Sequence, residues 1–426
     1  MPPSATPPTQ VTVHLDGLAH GGDAVGRLPD GKACFVAYGI PGETVVAEIT
    51  DERKRYAKGT VVEVLEPSAH RVAPPCPHFG PGRCGGCRLQ HIEPAHQATL
   101  LRQVVIDQLE RIGKLVDPPV ADTVRPHAGD GLGYRNVGRM APDPSGHLGF
   151  RRPASHEIEP VEVCPLLDRP TAATRRAAGD DWSGVDEVVI RGDATDRGML
   201  EIHPGAGGIP ELPPGDLPVV VVGSTGPVTL RGEPTLQEEV AGRTFWVSPT
   251  SFFQSSRAGA AVLAELVAAG ASVEPGDTVL DLYAGVGLFA AALGEAGAAV
   301  TAVEAHGPAA RDAARNLADL DVEVLEGRAE HVAEDLASEH RRADVVVVDP
   351  PRRGIGPQLA ELVARIARNR VVYVSCDPAA LGRDARAFLD AGWRLQHAVP
   401  VDQFTHTSHV EVVATFAPDD GARAPR

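Results

Sequence analysis

From Thr278 to Phe416 the chain alternates two periodicities, and few folds accept that order. Short apolar runs recur at Thr278–Tyr283, Ala299–Glu304, Val322–Leu325, Asp344–Val348 and Val371–Ser375. Stretches with helical spacing separate them, at Gly285–Gly297, Pro308–Leu320, Glu330–Leu336 and Pro357–Ala367. A further helix is expected at Ala379–Ala391, then strands near Trp393–Val399 and Val410–Phe416. Strand and helix in alternation predict a doubly wound, mostly parallel sheet. Ligands of such sheets collect at the carboxyl ends of the strands, so the residues that end each run matter most.

The run Val371-Val-Tyr-Val-Ser-Cys-Asp-Pro378 reads as a buried strand stopped by a turn, with Cys376 at its carboxyl end. A cysteine there is either a small core residue or a nucleophile. Asp281-Leu-Tyr-Ala-Gly-Val-Gly-Leu-Phe289 spans a strand-to-helix turn. Gly285 and Gly287 let the backbone approach a ligand, and Asp281 supplies an acceptor. Glu304 ends the next strand, where a carboxylate takes the ribose hydroxyls of a nucleoside cofactor. The dinucleotide fingerprint needs a third glycine, and Ala290 stands in its place. The pattern therefore looks like the S-adenosylmethionine site of class I methyltransferases. Asp349-Pro-Pro-Arg352 follows another strand, and its two prolines hold an extended loop over that site.

The amino-terminal part is built differently. Residues 1–9 are Pro-rich and expected to be a disordered tail, as are residues 417–426. Residues 10–68 hold short strand-like runs separated by glycine turns, the pattern of a small β-barrel. Arg53-Lys-Arg-Tyr-Ala-Lys58 precedes its last strand, and reads as an RNA contact or a solvated loop. Residues 69–247 read as a mixed α+β region, with an amphipathic helix over Gln97–Lys114. Cys76, Cys84 and Cys87 lie close together among glycines and prolines, and Cys164 follows later. Four thiolates suit either a tetrahedral zinc or an iron–sulfur cluster. Cys34 stands apart and is expected in the core of the barrel. Arg135, Arg139, Arg151 and Arg152 either follow phosphates or face outward from strands. The net charge of −17 argues against unspecific nucleic-acid binding over the whole surface. No run is long and apolar enough for a membrane span and no signal peptide is evident, so a cytoplasmic protein is expected.

Taken in order, Cys76…Cys84-Gly-Gly-Cys87, Ser248-Pro-Thr-Ser-Phe-Phe-Gln254, Asp281–Gly287, Asp349-Pro-Pro-Arg352, Ser375-Cys-Asp-Pro378 and His406-Thr-Ser-His-Val-Glu411 resemble one family. It is the RNA uracil-5-methyltransferases, and the likeness covers nearly the whole chain. The gap between Cys76 and Cys84 is longer than the family's usual one, which leaves the shape of that loop open.

The resemblance implies a Rossmann-like class I methyltransferase domain at 248–416, an OB-like TRAM barrel at 10–68 and a central α+β region. It implies S-adenosylmethionine held by Gln254, Asp281, Tyr283, Gly285, Gly287, Glu304 and Asp349. It implies a 4Fe-4S cluster on Cys76, Cys84, Cys87 and Cys164, with a structural or RNA-positioning role. By the same resemblance Cys376 adds to carbon 6 of uracil and Glu411 removes the proton from carbon 5, with His406 and His409 nearby. Asp349 and Gln254 would hold the uracil edge. The expected partner is RNA, 23S rRNA ahead of tRNA, with no membrane and a monomeric protein. Two other readings fit part of the pattern. One is methylation of a base amino group through Asp-Pro-Pro-Arg, which needs no cysteine. The other is a non-catalytic iron–sulfur RNA-binding protein.

Overall fold

The structure, a computed structural model, describes residues 9–127 and 129–419. Of the expected tails 1–9 and 417–426, residues 1–8 and 420–426 lie outside the described residues, while Thr9 O accepts from Ile49 N–H of the barrel at 2.9 Å.

The carboxyl-terminal half forms one seven-stranded sheet. In spatial order its strands are Val322–Glu326, Ala299–Glu304, Thr278–Leu282, Ala343–Val348, Ala367–Ser375, Glu411–Pro418 and Trp393–Val401. The first five run parallel; the last two pair antiparallel. Alternate side chains along each strand point to opposite faces, and both faces are covered. Leu280, Leu282, Val346, Val348, Val371 and Tyr373 enter one apolar layer; Val279, Val345, Val347, Val372 and Val374 enter the other. That two-sided burial is why these strands read as unbroken apolar runs.

Ala417 and Pro418, expected in the carboxyl-terminal tail, are paired in the final strand, and the Asp419 N–H donates to Gly392 O at 2.9 Å. The helix after Cys376 runs over Pro378–Asp390. Asp377 caps it, its side chain accepting from Ala380 N–H at 2.8 Å. A helix not foreseen from the pattern, Arg257–Ala271, covers the second face. Its small residues blur the periodicity. Gly259 is there because a Cβ would lie 2.4 Å from the Gln403 side chain.

The amino-terminal strands Gln10–Leu18, Ala24–Arg27, Ala33–Ala37, Thr44–Glu52 and Tyr56–Glu66 close into a barrel. Val13, Leu15, Val36, Val45 and the thiol of Cys34 fill it. Arg53, Lys54 and Arg55 make the exposed turn before the last strand, and Lys58 is exposed on that strand.

A second seven-stranded sheet occupies the middle of the chain. Its core strands are Gly198–Pro204, Val185–Gly192 and Val137–Pro142. The expected helix runs over Pro94–Arg111, starting earlier than its apolar stripe because Pro94 suits a first helical position. It packs on the carboxyl-terminal sheet, where Leu101, Val105 and Leu109 meet Leu381, Ala385 and Phe388. The segment after it bridges to that sheet's edge at Val120–Ala398 and Val124–Val401. This stretch, expected within the central region, therefore packs with the carboxyl-terminal one. No helix among the described residues is long and apolar enough to cross a membrane.

Candidate active site

Every strand-end residue singled out in the sequence reaches the same edge of the carboxyl-terminal sheet. Leu282 pairs with Val348, and Val348 with Tyr373. Asp281, Asp349 and Cys376 thus sit at or just beyond the carboxyl ends of three adjacent strands. Ser375 pairs with Val412 on the antiparallel neighbour, so the next step of that register sets Cys376 opposite Glu411.

Asp281 is wholly buried, and neither carboxylate oxygen meets a hydrogen-bond donor among the described residues. Burial, with Asp349 and Glu304 near, pushes its carboxyl up to about 8. An unpaired buried carboxylate is costly unless a donor or cation joins it. Glu304 closes the next strand. One oxygen accepts from Gly285 N–H at 2.9 Å and the other from His306 N–H at 2.7 Å. Each keeps a lone pair for a hydroxyl. Gly285 has φ 57° and a Cβ there would meet nothing within 4 Å, so its backbone borders open space. Gly287 has φ 95°, and a Cβ would press on Leu317 at 2.7 Å. Together these features suit a cationic ligand that carries a diol. Tyr283, at φ 66°, leans on an apolar cluster with its hydroxyl toward Glu330.

At Cys376 the charges crowd. Burial pushes its thiol up to about 12, with Glu411 and Asp349 adding to the rise and Arg352 opposing it. Glu411 is buried, and burial with Asp349 raises its carboxyl to about 8, again against Arg352. The protein around Asp349 raises it to about 7. The site thus favours neutral acids and a neutral thiol until positive charge enters it.

Gln254 is buried, and its side-chain oxygen accepts from Gln403 Nε2 at 2.9 Å. The central sheet holds the segment that carries it. Asn136 Nδ2 donates to Gln254 O at 3.2 Å, and Arg191 donates to Ser251 O at 3.3 Å. Neither Asn136 nor Arg191 stood out in the sequence, because their role depends on two regions meeting. His406 lies beside Glu411 in sequence, but its ring turns away. It meets Gln97 Nε2 at 3.1 Å and Asp130 O at 2.7 Å. Its part is to hold the loop, and only His409 faces the cavity described next.

Cys76, Cys84, Cys87 and Cys164 line one cavity of about 690 Å³ that Arg135, Arg352, Phe252, Phe404 and His409 also border. Among the described residues, no three or more His, Cys, Asp or Glu side chains are drawn together tightly enough to hold a metal ion. The expected ligand set therefore surrounds a cavity without converging on a point. Burial, reinforced by the other thiols, pushes Cys84 up to about 11 and Cys87 to about 12. Of the four arginines read either way, Arg139 pairs with Glu187, Arg151 meets His156, and Arg152 pairs with Glu157 and Glu159. Arg135 borders the cavity without an acidic partner among the described residues.

Comparison with known proteins adds to this geometry. Residues 236–416 match the family model described as tRNA (Uracil-5-)-methyltransferase, and residues 8–62 match the TRAM domain. An RNA methyltransferase of Streptomyces avermitilis is 36% identical over 95% of this chain and 98% of its own length. The 23S rRNA (uracil(1939)-C(5))-methyltransferase RlmD of Halomonas elongata is 33% identical over 96% of this chain and 90% of its own. The crystal structure of Pyrococcus abyssi tRNA (uracil-54, C5)-methyltransferase with S-adenosyl-L-homocysteine superposes with a TM-score of 0.73 at 24% identity, covering 96% of this chain and all of that one.

Proposed function

The chain belongs to the RNA uracil-5-methyltransferase family, and on that premise we propose that it methylates carbon 5 of a uridine in 23S rRNA through a covalent adduct on Cys376. The observation that carries the adduct is the register that sets Cys376 opposite Glu411, with Asp349 on the next strand. The rRNA target is favoured by the two RlmD relatives of Psychrobacter arcticus and Halomonas elongata.

Each residue type answers one chemical need. Carbon 5 of uracil is a weak nucleophile. The Cys376 thiolate adds to carbon 6, and the displaced electron pair moves through the ring to oxygen 4. Bound S-adenosylmethionine supplies a methyl group on a positively charged sulfur. The returning electron pair forms the bond from carbon 5 to that methyl, and S-adenosylhomocysteine leaves. Glu411 then takes the proton from carbon 5. The freed pair re-forms the ring double bond and expels the Cys376 thiolate. Asp349 and Gln254 hold the polar edge of the ring, so the uridine must be flipped out of its stack to reach them.

The cofactor is assigned to Asp281, Tyr283, Gly285, Gly287 and Glu304, together with Asp349 and Gln254. Asp281 accepts from or pairs with the ligand, relieving its two unpartnered oxygens. Glu304 takes the ribose hydroxyls. A cation among these acids lowers the pKa of all of them and of the Cys376 thiol, so cofactor binding itself readies the nucleophile.

Cys76, Cys84, Cys87 and Cys164 are assigned to a 4Fe-4S cluster. An all-sulfur donor set spread round one cavity suits a multi-iron group better than a single ion. Its cationic irons would hold the four cysteines as thiolates, offsetting the burial that raises Cys84, Cys87 and Cys164. Its part is to shape the RNA face of the cavity. The protein is read as cytoplasmic and monomeric.

The test uses anaerobically purified protein, S-adenosylmethionine and rRNA or tRNA made with 5-fluorouridine. Fluorine cannot leave as a proton, so the adduct should accumulate, need Cys376, and map to one rRNA position. Normal methylation of plain RNA without any trapped adduct would rule the covalent route out. Trapping on tRNA alone would rule out the rRNA target.

A further inference from the structure

The barrel reaches the reaction centre through one turn, Ala19–Asp23. Ala19 N–H donates to Asp23 O at 2.8 Å and Gly22 N–H to Ala19 O at 3.0 Å. Gly22 lies so close to the loop before Glu411 that a Cβ would stand 2.9 Å from Ser408 Cβ and 3.2 Å from Arg88 Cβ. Asp23 pairs with Arg88 at 2.5 Å, and the backbone N–H groups of Arg88 and Leu89 donate to His406 O at 3.0 and 2.9 Å. The turn is therefore fastened to the segment that leads into Glu411.

His20 is carried on that turn. Its Nε2 stands 3.9 Å from Asp377 Oδ2, beside Cys376 in sequence. Asp377 spends its other oxygen on the helix cap, at 2.8 Å from Ala380 N. An imidazole whose Nε2 faces a carboxylate keeps Nδ1 for another partner. Burial, with Arg352 and Arg135 near and His20 beside them, pushes the His409 imidazole down to about 4, so side chains from the barrel, the central region and the carboxyl-terminal sheet gather here. Arg352 is exposed, with no acidic partner among the described residues. Asp349 and Glu411 lie deeper. The rim thus offers the Arg352 guanidinium and imidazole N–H donors while carboxyl groups lie on the floor, which matches a nucleotide entering base first with its phosphate left at the rim.

We propose that His20, on the barrel turn, hydrogen-bonds the backbone phosphate of the flipped uridine, with Arg352 as its cationic neighbour. The barrel is then a wall of the active site as well as a surface for distant RNA. This rests on the uridine-methylation reading above and assigns one contact within it.

The test compares the full-length wild-type protein with His20→Ala and His20→Arg on an rRNA fragment that holds the target uridine. His20→Ala should raise KM for RNA about tenfold with kcat changed less than about twofold, and His20→Arg should restore most of the loss. Affinity for S-adenosylhomocysteine and the thermal midpoint should not move. The same fragment with one uncharged methylphosphonate at the target phosphate should cost the wild type the same factor and His20→Ala nothing more. Independent, additive losses would overturn the contact. A fall in kcat at unchanged KM would overturn it too, and would give His20 a role through Asp377 on Cys376. A wild type that binds the fragment but methylates no uridine would overturn the parent reading and this contact with it.

Discussion

The two groups of cysteines in this molecule are built on opposite plans. Cys376 follows the strand Ala367–Ser375, locked between a parallel and an antiparallel neighbour. Its place is set by sheet register. Cys76, Cys84, Cys87 and Cys164 sit on loops closed by local bonds, such as Phe79 N–H to Cys76 O at 3.1 Å and Cys84 N–H to His78 O at 3.1 Å. Gly85 N–H meets Arg151 O at 2.9 Å, and a Cβ there would lie 2.8 Å from that oxygen. In both places burial holds thiols protonated. At Cys376 the Arg352 guanidinium opposes the shift. At Cys84 and Cys87 the neighbouring thiols add to the rise instead. Cys376 is thus placed by sheet register, and the other four cysteines by the closure of loops.

The sharpest break in that comparison is Cys376→Ser. It should lower methyl transfer by at least about 10⁴-fold, as loss of a covalent nucleophile does, while leaving the fold and cofactor affinity intact. Single-turnover transfer measured beside S-adenosylhomocysteine binding checks it. Glu411→Gln should slow turnover by roughly 10²- to 10⁴-fold, yet still form the adduct, which should accumulate on denaturing gels. If Glu411→Gln stopped adduct formation as completely as Cys376→Ser, Glu411 would not be the late base.

Cys84→Ser probes the other plan. It should lose bound iron and its visible absorbance, and lower the thermal midpoint by several degrees, as a loss of about 2 kcal/mol would. Residual activity should track the folded fraction. The pH dependence separates the sites further. Glu411 must be ionised to act, so kcat/KM should climb with pH above the ordinary glutamate range, and climb from a lower pH when cofactor is saturating. The same raised pKa acts oppositely on stability. Between the ordinary glutamate value of 4.5 and about 8 the folded state holds a proton that the unfolded chain has released. Stability of the cofactor-free protein should therefore fall as pH rises through that window, and fall less in Glu411→Gln. The smallest effect belongs to the exposed turn before the barrel's last strand. Neutralising Arg53, Lys54, Arg55 and Lys58 together should weaken RNA binding and flatten its salt dependence by up to about four charges, seen in titrations at several ionic strengths. Unchanged affinity and slope would place the RNA elsewhere.

Much of this was legible in the chain because it depends on short-range pattern. The strand Ala299–Glu304 ends where its apolar run ends, and Asp349-Pro-Pro marks a strand's end because proline cannot continue one. The barrel showed through its glycine turns. The helix Arg257–Ala271 did not show, since alanine and glycine on every side leave no stripe. Nor did the docking of Pro94–Arg111 on the carboxyl-terminal sheet, because an apolar stripe does not name its partner. His406 misled for a similar reason. Nearness to Glu411 in sequence suggested a shared task, while its ring serves Gln97 and Asp130.

The sequence by itself determined the sheet, the barrel and the residues that end each strand, because alternation, turn glycines and prolines act over a few residues. Only the tertiary structure decided which of these meet. The opposition of Cys376 and Glu411, the buried and unpartnered Asp281, and the reach of His20 from the barrel to Asp377 are contacts between distant segments. They arise from packing, which joins residues by shape and burial and leaves no local mark on the chain.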